Sequence, residues 1–249
     1  MIIFKTSLKS LFNYFGFDVR RKLPPERPLG WHPDHLRDMG YQPKTIVDVG
    51  VGRGTPRLYK AFPNSYYVLV EPLREFESDI QSTLGNYNGC YVSAAAGNKE
   101  GTTTIHMLPG WKTMSSVRKP SKIHKDIYQS FYLKGITDAP YQERKRKVPL
   151  VTLDGILEKY SLQPPFGLKI DTEGFELEVV EGGGAHFLSN TEFVIAEVAI
   201  IQRVEGGYSF FDFVRAMDEH GFWICDILAQ GRLENPPVLH LVDALFCRK

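Results

Sequence analysis

The chain has 249 residues, 43% hydrophobic and 24% charged, enough to bury one substantial α/β core, which excludes a short peptide scaffold and a disordered polymer. Thirty Lys and Arg against 29 Asp and Glu leave a net charge of +1, so the total gives no reason to expect nucleic acid as a partner, and any electrostatic preference must be local. Three widely spaced cysteines, Cys90, Cys225 and Cys247, with no CxxC, suggest neither a disulfide framework nor a zinc module, and a reducing cytoplasm is the default expectation.

No run approaches the roughly 20 apolar residues needed to span a bilayer. At the N-terminus Leu8, Leu11, Phe12 and Phe15 recur at helical spacing, while Lys5 and Lys9 interrupt the continuous apolar region a signal peptide requires. Residues 1–22 therefore read as an amphipathic helix. It either packs against the domain or touches the inner membrane face peripherally, helped by Arg20, Arg21 and Lys22. Residues 24–43 are rich in Pro and aromatic side chains without a clear period, so residues 1–43 form a helix and lead-in, and the core domain runs from 44 to 249.

Within the domain, short apolar runs alternate with helical patterns. Thr45 to Val49, Tyr66 to Val70, Cys90 to Ala95, Phe166 to Ile170 and Phe193 to Val198 are predicted strands. Phe76, Ile80 and Leu84 share one helical face, and Phe211, Val214 and Met217 another, in a helix that stops at Gly221. This alternation predicts a doubly wound, mostly parallel α/β sheet with helices on both faces. The C-terminus breaks the rhythm. Phe222 to Ile227 and Leu241 to Cys247 are joined by a loop with no room for a crossover helix, and two such strands pair antiparallel.

Residues 107–148 stand out as a basic insertion, with ten Lys or Arg against three acids. Such a stretch is a solvated face, or a lid beside an active site that takes an anionic substrate. Tyr128, Phe131, Tyr132 and Tyr141 supply the apolar surface a lid needs.

The strongest local signal for chemistry is Val47-Asp48-Val49-Gly50-Val51-Gly52-Arg53-Gly54-Thr55-Pro56, a strand entering a glycine-rich turn and then a helix, with Thr55 placed to cap and Pro56 at the first helical position. A dinucleotide fingerprint would need its third glycine at Thr55, and Pro56 removes an N–H where a pyrophosphate wants donors. The acid-x-G-x-G-x-G pattern instead resembles the first motif of class I S-adenosylmethionine-dependent methyltransferases. Asp48 would then complement the positive charge of the ligand; its structural alternative is to cap the following turn. Glu71, ending the second strand, can accept from both ribose hydroxyls or merely start the next helix. Ala95 and its small neighbours from Ser93 to Gly97 leave room for an adenine ring, or simply pack on a helix.

A second strand, Gly167 to Ile170, delivers Asp171 and Glu173 at its carboxyl end, where ligands bind in open α/β sheets. The competing role for both acids is to stabilise a helix N-terminus. Glu197 ends the fifth strand on the same rim.

At this point the chain resembles the FkbM-type methyltransferases of the class I superfamily. The likeness rests on Val47 to Gly54, Val70-Glu71-Pro72, Ala95 to Gly101, Ser115-Ser116, Val151 to Asp154, Leu168 to Glu176, Ala196-Glu197-Val198 and Asp243 to Phe246, in that order. It implies a seven-stranded sheet of Rossmann-like class I methyltransferase fold with an antiparallel last strand. It also implies S-adenosylmethionine as cofactor, held by Asp48, Gly50, Gly52, Gly54, Glu71, Ala95 and Asp171, and O-methylation of a hydroxyl on a sugar of a glycan or glycolipid precursor. A hydroxyl needs a base within about 3 Å, a contribution of roughly 10²–10⁴-fold. Asp171 and Glu173 lead as candidates, with His106 behind them; the two acids act directly, position the hydroxyl or bind a divalent metal ion. Ser115, Ser116 and Glu197 are candidates for holding the acceptor. A catalytically silent binding module of the same fold, and an oxidoreductase using a dinucleotide, are the competing classes.

Overall fold

A computed structural model describes residues 32–108, 111–123, 125, 144–184, 186–233 and 238–249. The amphipathic N-terminal segment and Tyr128, Phe131, Tyr132 and Tyr141 of the basic insertion lie outside these.

The core is a seven-stranded sheet flanked by helices. In chain order its strands are β1 (Thr45–Val49), β2 (Tyr66–Val70), β3 (Gly89–Val92), β8 (Phe166–Ile170), β9 (Thr191–Ala199), β10 (Phe222–Arg232) and β11 (Leu239–Arg248). Across the sheet the order is β10-β11-β9-β8-β1-β2-β3. From β9 to β3 every pairing is parallel, whereas β11 runs antiparallel to both β9 and β10. The last strand is thus the reversed one, slotted between two earlier strands.

All five residues of β1 and of β8 are buried, because a parallel strand in this position is covered on both faces. Period-two alternation then sorts the side chains. Val47, Val49, Val68 and Val70 face α4 (Leu153–Tyr160), α5 (Glu176–Glu181) and α6 (Phe210–Glu219). Ile46, Tyr67 and Leu69 face α1 (Pro33–Asp38), α2 (Pro56–Ala61) and α3 (Glu77–Leu84). In the first layer Phe166 stacks on Phe187 with ring centroids 4.7 Å apart.

Three expectations need correction. The run Cys90 to Ala95 is two strands: after β3 the chain turns at Ser93 and Ala94, and β4 (Ala95–Ala96) joins a separate four-stranded sheet of order β4-β7-β5-β6. There β5 (Gly101–Leu108) pairs antiparallel with β6 (Trp111–Ser116) and β7 (Arg144–Val151), so both ends of the basic insertion are strands packed on the α1–α3 side. On α6 the buried side chains are Phe213 and Met217, and Phe211 points outward, 75% exposed. Cys225 and Cys247 are joined by a disulfide. They lie on the antiparallel neighbours β10 and β11, where a bulge between Ile224 and Asp226 shifts the register, and their separation of 22 residues gave no sequence cue. Cys90 is free. Among the described residues no helix is long and apolar enough to cross a membrane.

Because Phe166 and Phe187 are both essentially unexposed, truncating either leaves a large cavity. Phe187→Ala is expected to lower unfolding free energy by about 3–5 kcal/mol, read from urea denaturation followed by tryptophan fluorescence.

Candidate active site

A cavity of about 290 Å³ opens where β1, β2 and β8 end. Its floor is the glycine loop after β1. Gly50, Gly52 and Gly54 have φ of +75°, +51° and +105°, backbone conformations that side chains penalise. At Gly50 space is also closed, since a Cβ would stand 1.8 Å from the Asp171 carbonyl oxygen. The Gly50 N–H donates to Val70 O at 2.9 Å and the Asp171 N–H to Val49 O at 3.0 Å, so the loop is locked to both neighbouring strands. Pro56 opens α2 as the sequence predicts, but Thr55 at the N-cap position makes no capping hydrogen bond with its side chain.

Glu71 lies at the end of β2 on the wall. One carboxylate oxygen accepts from the Gly52 N–H at 3.0 Å and the other from the Leu73 N–H at 2.9 Å. Burial pushes this carboxyl above the usual range, opposed by those two N–H donors. Ala94, Ala95 and Ala96 keep the adjoining wall low, and Phe76, Ile105 and Phe175 make it apolar. Small side chains, an apolar slot and an acid already oriented by backbone amides suit an adenosine, and the glycine loop suits its amino-acid tail.

The other rim is the turn after β8, where Asp171, Thr172 and Glu173 line the cavity. Glu173 sits in the left-handed region at φ +58°, a strained conformation for a residue with a Cβ. What holds it is Glu176, fully buried, whose carboxylate accepts from the N–H of Thr172 at 2.9 Å and of Gly174 at 3.0 Å, and from the hydroxyl of Tyr208.

Two buried cations balance the acids. Lys169 Nζ lies 3.3 Å from Asp171 and 3.5 Å from Asp48, and donates to Gly50 O at 3.2 Å. Burial works against its charge, but Asp171 and Asp48 outweigh that and hold its pKa above the ordinary lysine range. Arg203 donates to Glu173 at 2.9 Å and to Glu197 at 2.6 Å. Burial pushes the Glu173 carboxyl up to about 7; Arg203 opposes the shift, while Asp171 and Glu176 add to it. Glu197 is raised well above the carboxylate range, by burial first and then by Asp171. One oxygen from each of Asp171, Glu173 and Glu197 falls within 4.8 Å of the others, a spacing that suits a shared cation. The side chain that sits against two of them is Arg203.

Of the residues predicted to bind cofactor, Gly50, Gly52, Gly54, Glu71, Ala95 and Asp171 line one cavity, and Asp48 does not. It points to the other face of β1, directly opposite Lys169 in the parallel register, and accepts from the Tyr59 hydroxyl at 2.7 Å. Asp171 and Glu173 share the rim, whereas His106 is turned away: Ile105 faces the cavity, and the alternation of β5 puts its neighbour on the opposite side. Ser115 lines the cavity. Ser116, one residue on, is buried off it and accepts from the Arg118 N–H at 3.1 Å. Glu197 stands behind the rim. Sequence reasoning missed Lys169, Glu176, Arg203 and Tyr208. The spacing Lys169-x-Asp171 along a strand was a usable cue for the first, since it puts both on one face; nothing local marks Arg203.

A family model described as the methyltransferase FkbM domain matches residues 48–224. The chain belongs to this FkbM methyltransferase family. The methyl donor of this family is S-adenosylmethionine. The cavity suits such a nucleoside, with open backbone at the glycine loop and Glu71 beside the small alanines. No curated protein sequence matches the chain. Similar solved structures include an FkbM methyltransferase from Methylobacillus flagellatus, at 13% identity and TM-score 0.43, covering 80% of this chain and 43% of that one. The chain therefore spans less than half the length of that protein. A precorrin-6y C5,15-methyltransferase from Geobacter metallireducens is similar at 11% identity and TM-score 0.43, with 94% of each chain covered. A 1,6-didemethyltoxoflavin-N1-methyltransferase from Burkholderia thailandensis is similar at 12% identity and TM-score 0.40, covering 99% of this chain and 89% of that one.

Removing Lys169 strands Asp48, which is wholly buried. Lys169→Met is expected to cost about 3–5 kcal/mol in urea unfolding, and Lys169→Met combined with Asp48→Asn to recover a large part of it.

Proposed function

We propose that this FkbM methyltransferase methylates a hydroxyl oxygen on a sugar of a glycan or glycolipid precursor, with Glu173 as the proton-accepting residue. The supporting observation is a pair of carboxylates, Asp171 and Glu173, at the mouth of the cavity whose floor is the glycine loop. S-adenosylmethionine supplies an electrophilic methyl group when bound. The rest is positioning: Glu71 and the open backbone of the glycine loop would hold the donor, and Ser115 would offer a hydroxyl to the acceptor from the facing strand.

Two acids, two environments, separate their roles. Asp171 is tied to Lys169 and stands nearest the loop, which suits orienting the donor. Glu173, raised towards neutrality by burial, is matched to accepting a proton near pH 7. Methyl transfer to a hydroxyl needs such a base to take the hydroxyl proton, which favours oxygen over a more nucleophilic acceptor atom.

Arg144, Lys145 and Lys147 on β7 are exposed, but Lys145 and Lys147 pair with His106 and Thr104 and so lie on the face turned from the cavity. Arg146 between them is differently employed, forming a bidentate pair with Glu75 at 2.6 Å on the turn that bears the cavity residues Leu73 and Phe76. A glycolipid precursor would also give residues 1–22 a use as a peripheral membrane contact, which liposome flotation with and without them tests.

Calorimetry with S-adenosylhomocysteine, followed by transfer of labelled methyl to glycan and glycolipid extracts, tests the assignment. Glu173→Gln is expected to keep cofactor affinity within about threefold and to lose about 10²-fold or more in methyl transfer. Absence of cofactor binding by the unaltered protein, or label on nitrogen only, overturns the reading. Since the ionised form of Glu173 is the active one, transfer is expected to rise with pH through about 7 and level off above it. A rate independent of pH between about 5.5 and 8.5 would remove Glu173 from the role.

A further inference from the structure

The rim carries more negative charge than an enzyme base ordinarily tolerates. Around Glu173 lie Asp171 and Glu176 on its own turn, Glu197 on β9, and beyond it Asp243, paired in register with Glu197 on β11. Facing them are Lys169, committed to Asp171 and Asp48, and Arg203. Burial and these acids favour the protonated Glu173 carboxyl, which could not take another proton, and Arg203 opposes them.

Arg203 is 5% exposed and does not line the cavity, so it approaches Glu173 from behind. One terminal nitrogen bonds Glu173 Oε2 at 2.9 Å and the other bonds Glu197 Oε1 at 2.6 Å, which leaves Glu173 Oε1 for an acceptor proton. The backbone carrying Arg203 is itself fixed. Its carbonyl accepts from the Ser121 N–H at 2.9 Å, the next residue, Val204, bridges to Pro120, and Glu205 N–H donates to Lys119 O at 2.8 Å. Val204 also fills the space above Gly174, where a Cβ would come within 2.7 Å of its methyl group, so the loop of the cation presses on the loop of the base.

We propose that Arg203 is a positioning residue for the proton-accepting step: its guanidinium, braced on Glu197, keeps the Glu173 carboxylate ionised and turned into the cavity. It acts as a built-in cation on a rim whose three acids are spaced to share one. This rests on the reading of Glu173 as the base.

The test follows the Glu173 side-chain carboxyl directly, by carbon-detected NMR of the full chain labelled at glutamate and bound to S-adenosylhomocysteine, with Glu173→Gln assigning the resonance. Arg203→Met is expected to raise its titration midpoint by about one unit or more, and Arg203→Lys by less, with cofactor affinity unchanged within about threefold. Glu197→Gln, which leaves the guanidinium to Glu173 alone, is expected to lower it. Should Arg203→Met fail to fold, the lysine and Glu197 variants carry the comparison. A midpoint that stays in place in the folded Arg203 and Glu197 variants overturns the proposal, even where Glu173→Gln is inactive in methyl transfer. Full methyl transfer by Glu173→Gln overturns the base reading first, and the role of Arg203 with it.

Discussion

Everything in this site depends on two turns being pressed together. The turn after β1 and the turn after β8 leave adjacent parallel strands, and Gly50 brings its α-carbon so close to the Asp171 carbonyl that no side chain fits between them. Contact at that distance is what puts a donor cradle and a pair of acids on opposite lips of one cavity. Parallel strands do this naturally, since both chains emerge at the same edge, but the spacing is set by the missing Cβ. Lys169 then closes the arrangement from beneath, joining the Gly50 carbonyl, Asp171 and Asp48 through one ammonium group.

The same edge gathers acids that ought to push each other apart. Two like charges about 5 Å apart repel by about 3 kcal/mol at an effective dielectric of about 20, a large share of the net stability of a domain. The fold offsets this with two buried cations that divide the work. Lys169 pairs with Asp48 and Asp171, and Arg203 with Glu173 and Glu197. Glu176 does a third job, since its carboxylate accepts from backbone N–H groups and so fixes the loop that carries Glu173 in a conformation it would not otherwise adopt. The geometry of the rim is thus held by side chains that do not line the cavity.

How much of this was legible in the sequence follows the physics of each element. Strands β1, β2 and β8 were readable to the residue, because burial on both faces, complete in β1 and β8 and broken in β2 only at Tyr66, writes a short and mostly apolar run. The reversed last strand followed from a loop too short for a crossover. Loop glycines and the rim acids were legible because their positions relative to strand ends are local facts. Side-chain direction was not. Asp48 and Val49 are neighbours, yet only one faces the cavity, and His106 misses it by a single step of alternation along β5. Arg203 could not be found at all, since its partners Glu173 and Glu197 come from two other elements and meet it only after β8 and β9 pair. The second sheet escaped for a similar reason. Its strands come from the flanks of a charged stretch, whose composition suggested solvent instead of pairing.

The bridge between Pro120 and Val204 has a corollary. The stretch that leads from Ser116 into the basic insertion is stitched to the strip of chain bearing Arg203, which in turn leans on the turn of Glu173. Any lengthening or swap of that insertion would therefore be felt at Glu173. A transplanted insertion would have to bring residues 200–207 along with it, as one block.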